Sequence, residues 1–296
     1  MVDGALLLDK PVGLTSNAAL QKAKKALRAA KAGHAGTLDP LASGLLIVLF
    51  GEATKFAGPL LDADKEYVAT LKLGERTTTG DAEGDVIQTK PVAIDALAPA
   101  LARFRGEIEQ VPPMHSALKH KGTPLYRLAR RGEEVERAPR KVRISQLEVL
   151  ECAPPRLVLR VVCSKGTYIR TLAEDIGEAL GCGAHLAGLR RTGSGRFRVE
   201  DARGLDALGE DCVLPLPALL EGLAHVELTA AQEVRLRQGQ ALQISGLPTG
   251  LCAVVRPDGG VIGLGEADAH GILKPLRLTQ GAEKHLKSAP QMKRES

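Results

Sequence analysis

The stretch Gly33-His34-Ala35-Gly36-Thr37-Leu38-Asp39-Pro40-Leu41-Ala42-Ser43-Gly44 constrains this chain more than any other. It carries one carboxylate, Asp39, fixed between Leu38 and Pro40 with glycines on both sides. Proline disfavours helical geometry in the residue before it, so Asp39 is held extended or in a turn. Proline is also a good first helical residue, and Asp-Pro ahead of apolar residues is a helix-start signal. Two readings of Asp39 therefore stand on local sequence: a helix N-cap, or a carboxylate pinned at a pocket's edge by a rigid turn.

Charge narrows the choice of partner. The chain has 296 residues and a net charge of +5, unevenly spread. Residues 114–143 hold nine Lys/Arg against three Glu, and residues 17–31 hold five Lys/Arg and no acid, so everything else sums to −6. Concentrated positive charge on an otherwise acidic protein is the footprint of a polyanion partner. With no Trp, three Tyr and four Phe, the chain cannot offer the stacking sheet of an RNA-recognition motif. Binding must come from Lys/Arg on phosphate and from RNA shape.

Several enzyme classes are excluded. No Gly-Lys dipeptide occurs, so there is no P-loop; no Gly-x-Gly-x-x-Gly opens a helix; there is no His-Glu-x-x-His. No serine has a glycine two residues before it, which removes the nucleophile elbow. The five cysteines include no Cys-x-x-Cys, and Cys182 with His185 is half a metal site. Asp81-x-Glu83-x-Asp85 has the look of a calcium loop, but its glycine is misplaced and Val92 stands where a bidentate glutamate is required. No cofactor and no metal are expected. The N-terminus lacks a basic start followed by a long apolar run, and the run from Leu45 to Phe50 is too short to span a bilayer. The reading is a cytoplasmic protein without a membrane role.

Periodicity organises the rest. Residues 5–8 read as a buried strand, and Thr15 and Ser16 offer an N-cap for a helix over 17–31 with all five basic residues on one arc. Strands are expected at 44–50, 66–73, 142–150 and 157–163, and helices at 52–62, 95–105 and 167–180, the last closed by Gly181. Residues 77–85 read as a polar loop, 114–143 as a basic excursion from the core, and 189–195 as a glycine-flexed strand or loop. Residues 226–278 form a β-rich unit with a hairpin around Asp258-Gly259-Gly260. The polar tail, 280–296, reads as disordered.

Five motifs, in one order, resemble the TruB family of tRNA pseudouridine synthases. They are Leu8-Asp9-Lys10-Pro11 with Gly13 and Ser16, the Gly33 to Gly44 stretch, Lys65-Glu66-Tyr67, Pro113-Met114-His115-Ser116-Ala117-Leu118-Lys119, and Ser164-Lys165-Gly166-Thr167-Tyr168-Ile169-Arg170-Thr171-Leu172. Residues 226–278 are similar, more loosely, to a PUA domain, a small β-barrel RNA-binding module. The resemblance implies an α+β fold: a mixed, mainly antiparallel sheet flanked by helices over 1–222, with a basic RNA-gripping insertion at about 114–143. A PUA-like barrel over 223–279 and a disordered tail over 280–296 would follow.

The resemblance also implies roles. Asp39 would be the catalytic aspartate, and Arg170 would pair with it. Tyr67 would stack on the target base and is a candidate for removing the C5 proton. His34 would occupy the space vacated by the flipped base, Tyr168 and Leu189 would line the pocket, and Lys10 would support it. The substrate implied is the T-loop uridine at position 55 of tRNA, handled by a monomer that needs no protein partner.

The chemistry fits the residue inventory. Converting uridine to pseudouridine breaks N1–C1′, turns the uracil and joins C5 to C1′, without redox change or activated phosphate. It needs an ionised carboxylate beside C1′ and C6 in a pocket that excludes water, and a guanidinium nearby favours that ionised form. The base must also leave its stack, which costs less in a loop than in a duplex. Two other readings stay open. One is a PUA-containing RNA-binding or RNA-folding protein with an inactive core, against which the complete set of Asp39, Tyr67 and Arg170 argues. The other is a base-excising glycosylase, which would release free uracil.

Overall fold

Leucines set the first layer. The structure, a computed structural model, describes residues 2–280 except 117 and 130. The tail expected over 280–296 lies outside the described residues apart from Gln280. The chain opens with β1 (Gly4–Lys10), α1 (Ser16–Ala26), β2 (Ala32–His34) and β3 (Ala42–Phe50). Successive strand residues point to opposite faces, and here both faces are buried. Leu6, Leu8, Leu46, Val48 and Phe50 pack on Ala19, Leu20, Ala23 and Leu27 of the α1 side, whereas Ala5, Leu7, Leu45, Ile47 and Leu49 join a second cluster.

Helix α1 begins as expected, with the Thr15 side chain accepting from the Ala18 amide. It stops at Ala26 rather than near 31, because Arg28 adopts φ +49° and turns the chain back. Ala32, Gly33 and His34 then pair with Phe50, Leu49 and Val48.

No helix starts at Pro40. The Ala42 amide donates to Asp39 O at 3.0 Å, which closes a turn with proline in its second position, and the chain enters β3 directly. The N-cap reading of Asp39 is therefore overturned. The residues after Pro40 gain more as a strand between two buried partners than as a helix.

A 3₁₀ turn (Gly51–Phe56) and α2 (Ala57–Asp62) replace the single helix expected over 52–62. Pro59 explains the split: it fits the first turn of α2 but would remove an internal hydrogen bond from a longer helix. There follow β4 (Lys65–Leu73), β5 (Glu75–Thr77), β6 (Val86–Thr89), α3 (Leu97–Ala102), β7 (Gly106–Gln110), β8 (Lys119–His120), β9 (Thr123–Pro124), α4 (Leu125–Ala129), β10 (Arg140–Ala153), β11 (Arg156–Cys163), α5 (Ile169–Ala179), β12 (Ala184–Ser194), β13 (Phe197–Arg198), β14 (Val213–Leu214) and α6 (Leu216–Leu220).

The main sheet runs β14-β1-β3-β12-β4-β11-β10-β7, with β2 on β3 and β13 on β12. Its pairings are antiparallel except for β3 with β12, so it is mixed and mainly antiparallel. Gln110 and Arg140 are direct cross-strand partners, so residues 111–139 leave and rejoin the sheet edge at one point. Arg140 to Arg143, expected within the excursion, are the first residues of β10.

The chain ends in β15 (Ala224–Glu227), α7 (Ala230–Arg237), β16 (Leu242–Gln243), β17 (Gly250–Val255), β18 (Val261–Ala267) and β19 (Ile272–Leu278). These strands form a second sheet, β15-β17-β18-β19-β16, curled into a half-barrel around Val226, Leu236, Val254, Ile262 and Leu273. The hairpin at Asp258-Gly259-Gly260 is present, with the Arg256 amide donating to Gly260 O. Phe56 of the 3₁₀ turn packs with Leu220, Ala253 and Leu264, which joins the two sheets. Among the described residues no helix is long and apolar enough to cross a membrane.

Candidate active site

The Asp39 turn is fastened from behind. The Leu38 amide donates to Ser16 Oγ at 2.7 Å, Ser16 Oγ donates to Leu38 O at 3.0 Å, and the Gly13 amide donates to Pro40 O at 2.8 Å. Lys10 is fully buried, and its ammonium donates to Pro11 O and Leu14 O at 2.8 and 2.7 Å, which shapes the loop holding that turn. Burial pushes the Lys10 pKa down to about 8, against the opposing attraction of Asp39. Lys10 thus stands behind the site and reaches its surface through the field it exerts.

Arg170 is the second residue of α5 and is only 6% exposed, whereas Asp39 is 44% exposed. Arg170 Nη2 lies 3.0 Å from Asp39 Oδ2 and donates to His115 O at 2.6 Å; its Nε is 3.6 Å from Asp81 Oδ2. Asp81 is buried, and its Oδ1 accepts from Thr79 Oγ1 at 2.6 Å and from the Glu83 amide at 3.1 Å. The guanidinium is therefore held on both sides by carboxylates, one inside the protein and one facing outward. Sequence reasoning missed Asp81. Nothing in the acidic spacing separates it from Glu83 and Asp85, which stay exposed.

On one side of this ion pair lies a cavity of about 370 Å³ lined by Tyr67, Tyr168, Leu186 and Leu189, with Asp39, Arg170, Lys65 and Arg191 at its walls. Strand β4 supplies Tyr67, and its neighbour β12 supplies Leu189 and Arg191. Burial pushes the Tyr67 phenol up, with the Arg191 guanidinium acting in the opposite direction, so Tyr67 is a neutral phenol at neutral pH. Burial pushes the Tyr168 phenol up as well.

Arg191 and Lys65 were not anticipated as site residues. Arg191 is 1% exposed, donating to Leu45 O at 2.6 Å and Gly36 O at 3.2 Å. Lys65 donates to Leu60 O, Leu61 O and Ala63 O at the end of α2, and burial pushes its pKa down to about 8. Two glycines of the opening stretch belong to this packing. A Cβ on Gly44 (φ +100°) would sit 2.3 Å from Arg191 O, and one on Gly36 (φ +100°) would sit 3.2 Å from the Arg191 guanidinium. They make room for Arg191 and β12.

On the other side lies a cavity of about 530 Å³ lined by His34, Asn17, Asp81, Glu83, His115 and Tyr126, sharing Asp39, Arg170 and Ser116 with the first. His34 is thus separated from Tyr67, Tyr168 and Leu189. Its buried Nδ1 has no hydrogen-bond partner among the described residues, and burial, reinforced by Arg191, pushes its pKa down, which keeps the ring neutral. The start of α1 and the root of the excursion both border this cavity. Their basic residues Lys22, Lys25, Arg28, Lys119, Lys121, Arg127 and Arg131 are exposed. Among the described residues no three His, Cys, Asp or Glu side chains converge as a metal site.

Comparison with known proteins agrees with this architecture. Residues 24–169 match the TruB family pseudouridylate synthase N-terminal domain, 170–215 the tRNA pseudouridylate synthase B C-terminal domain, and 224–279 the pseudouridine synthase II TruB C-terminal domain. The tRNA pseudouridine synthase B of Burkholderia mallei (strain NCTC 10247) is 55% identical, over 94% of this chain and 97% of its own. That of Thiobacillus denitrificans (strain ATCC 25259 / T1) is 54% identical, over 94% and 96%. Among solved structures, a Cbf5-Nop10-Gar1 complex contains a chain that is 30% identical with a TM-score of 0.71, covering 93% of this chain and 83% of that one. An H/ACA RNP bound to a substrate RNA containing 2′-deoxyuridine gives 28% and 0.71, covering 94% and 85%.

The fold and these matches define a pseudouridine synthase, an enzyme that isomerises uridine in tRNA. Within that class the chain belongs to the TruB family.

Proposed function

We propose that this enzyme converts the T-loop uridine at position 55 of tRNA to pseudouridine, with Asp39 as its catalytic carboxylate. The observation that carries this is the Asp39–Arg170 pair. An outward-facing carboxylate is tethered at 3.0 Å to a buried guanidinium, at the rim of a cavity walled by Tyr67, Tyr168 and Leu189. Such a pair aims a carboxylate without an external activator.

In this reading the flipped uracil enters the cavity and lies against Tyr67, while Asp39 meets the C1′–N1–C6 region as the glycosidic bond breaks. The neutral Tyr67 phenol favours stacking over base chemistry, because removing the C5 proton would need a phenolate that burial disfavours. His34, neutral and in the adjoining cavity, fills the space the base leaves. Exposed Lys/Arg of α1 and the excursion grip the phosphates of the T-arm.

Residues 1–222 act as the catalytic unit and 223–279 as a PUA-like RNA-binding unit. One chain supplies both cavities and both basic blocks, which supports a monomer acting without a protein partner. A tRNA-modifying enzyme works where tRNA is handled, and we place it in the cytoplasm.

The test is tritium release from 5-tritiated uridine in a T-loop transcript. Asp39→Asn should abolish release while RNA affinity stays within several-fold of wild type. Turnover that survives in Asp39→Asn overturns the assignment, and free uracil among the wild-type products would make the enzyme a glycosylase.

A further inference from the structure

We propose that Ser16 and Gln110 are positioning residues that set the geometry of the Asp39–Arg170 pair; this rests on the reading of that pair as catalytic. Each makes the same construction. Ser16 Oγ accepts from the Leu38 amide at 2.7 Å and donates to Leu38 O at 3.0 Å. Gln110 Oε1 accepts from the Tyr168 amide at 3.0 Å, and its Nε2 donates to Tyr168 O at 3.3 Å. One buried side chain thus grips both polar groups of one backbone residue, 22 positions away in the first case and 58 in the second.

The gripped residues adjoin the ion pair. Leu38 immediately precedes Asp39, and Tyr168 stands two residues before Arg170. Leu38 lies outside every helix and strand, so no ladder fixes its peptide planes. Tyr168 is the N-cap residue of α5 and offers no side-chain cap of its own. Tyr168 O already accepts from the Leu172 amide at 3.0 Å, so Gln110 ties the first turn of that helix to the end of β7.

On the far side of Asp39 the Gly13 amide holds Pro40 O at 2.8 Å, so the Asp39 backbone is fixed before and after. Rotation of the peptide at Leu38 or Tyr168 moves one partner of a 3.0 Å contact directly. A misplacement of about 1 Å costs roughly 100-fold in rate.

The position of the grips gives them a second role. Ser16 opens α1, whose exposed face is basic, and Gln110 is the last residue before the excursion. Each of the two basic elements is therefore rooted on a side chain that also holds one half of the ion pair.

The experiment compares wild type, Asp39→Asn, Ser16→Ala, Gln110→Met and the isosteric Gln110→Glu. It reads single-turnover tritium release at saturating enzyme, RNA affinity by filter binding, and folded fraction by circular dichroism at the assay temperature. Ser16→Ala and Gln110→Met should lose roughly 10- to 100-fold in single-turnover rate, with affinity within about threefold and the folded fraction unchanged.

Gln110→Glu keeps the acceptor for the Tyr168 amide and regains a donor only when protonated. Its rate relative to wild type should therefore rise as pH falls from 8 to 6. Single-turnover rates within about twofold of wild type overturn the proposal, as does a rate loss matched by lost folded protein or lost affinity, or a flat pH ratio for Gln110→Glu. Turnover that survives in Asp39→Asn would instead bring down the reading of the pair on which the proposal rests, whereas an inactive Asp39→Asn beside Ser16 and Gln110 variants as active as wild type brings down the grips alone.

Discussion

The two cavities that meet at the Asp39–Arg170 pair are built in different ways. The loops at 36–39 and 164–168 supply one wall of the first, and core elements supply the other, where Tyr67 comes from β4, Leu186, Leu189 and Arg191 from β12, and Ile169 and Arg170 from α5. Their side chains are fixed by sheet register, since Tyr67 lies directly opposite Arg191 and Ala69 opposite Leu189. The second is shaped mainly by loops, through residues 15, 37–40, 79–83 and 115–116. A sheet can hold aromatic and apolar side chains in register against a base, whereas loops can follow the backbone of a nucleic acid. On the reading proposed above, the difference teaches that rate and grip fall to different materials in one molecule. Substitutions at Tyr67 of the first should change turnover, and those at His34 of the second should change binding.

The strongest way to break this division is Arg170→Lys, because Arg170 borders both cavities. Lysine cannot face two carboxylates and a backbone carbonyl in the geometry a planar guanidinium allows. Single-turnover release should fall on the order of 100- to 1,000-fold, with RNA affinity nearly unchanged; near-normal turnover would make Arg170 a structural residue.

Tyr67→Leu comes next and sharpens the role of the first cavity. Aromatic stacking on a base is worth about 1–3 kcal/mol, so single-turnover rate should fall roughly 5- to 150-fold, and Tyr67→Phe should retain most of it. If Tyr67→Phe is as slow as Tyr67→Leu, the hydroxyl and not the ring is what matters.

For the second cavity, His34→Ala should weaken T-loop RNA binding roughly 10-fold by removing the group that compensates a flipped base, while the rate at saturation changes less than threefold. A large rate loss with normal affinity would dissolve the contrast between the cavities.

The smallest effect concerns Lys10. Its pKa is about 8 in the folded protein against an ordinary 10.5, so between these values the unfolded chain holds a proton the folded chain has released. Stability contributed by Lys10 therefore rises with pH across that window. Urea midpoints of wild type and Lys10→Met at pH 7 and pH 10 should diverge in favour of wild type at the higher pH. A constant difference would show that Lys10 is not titrating there.

Much of this molecule is legible in its residues. Leu6, Leu7 and Leu8 announce a strand buried on both faces, and the apolar arc of α1 announces the helix that covers one of them. Asp39, Tyr67, Tyr168 and Arg170 stand in short motifs and Leu189 follows from the family resemblance, and the structure brings all five to one cavity.

What stayed hidden depends on distant partners. Arg191 sits in a run with Arg190 that reads as surface charge, and only the approach of β12 to Gly44 and Gly36 buries it. Asp81 turns inward because Arg170, far along the chain, lies above it. The early end of α1 is likewise set by the need of Ala32 to His34 to reach β3.

The parallel pairing of β12 with β3 also orders events in time. Ala42, Ser43 and Gly44 are matched with Leu189, Arg190 and Arg191, and residues 44 and 191 are 147 positions apart. Contacts at such separation close slowly and late. A nascent chain that has just emerged as far as Arg170 already owns its carboxylate, its phenols and its guanidinium, yet has neither the Leu189 wall nor the Arg191 prop behind Gly36. On the proposed reading, competence to modify RNA thus waits for β12, and a chain that ends before it carries the reagents without the vessel.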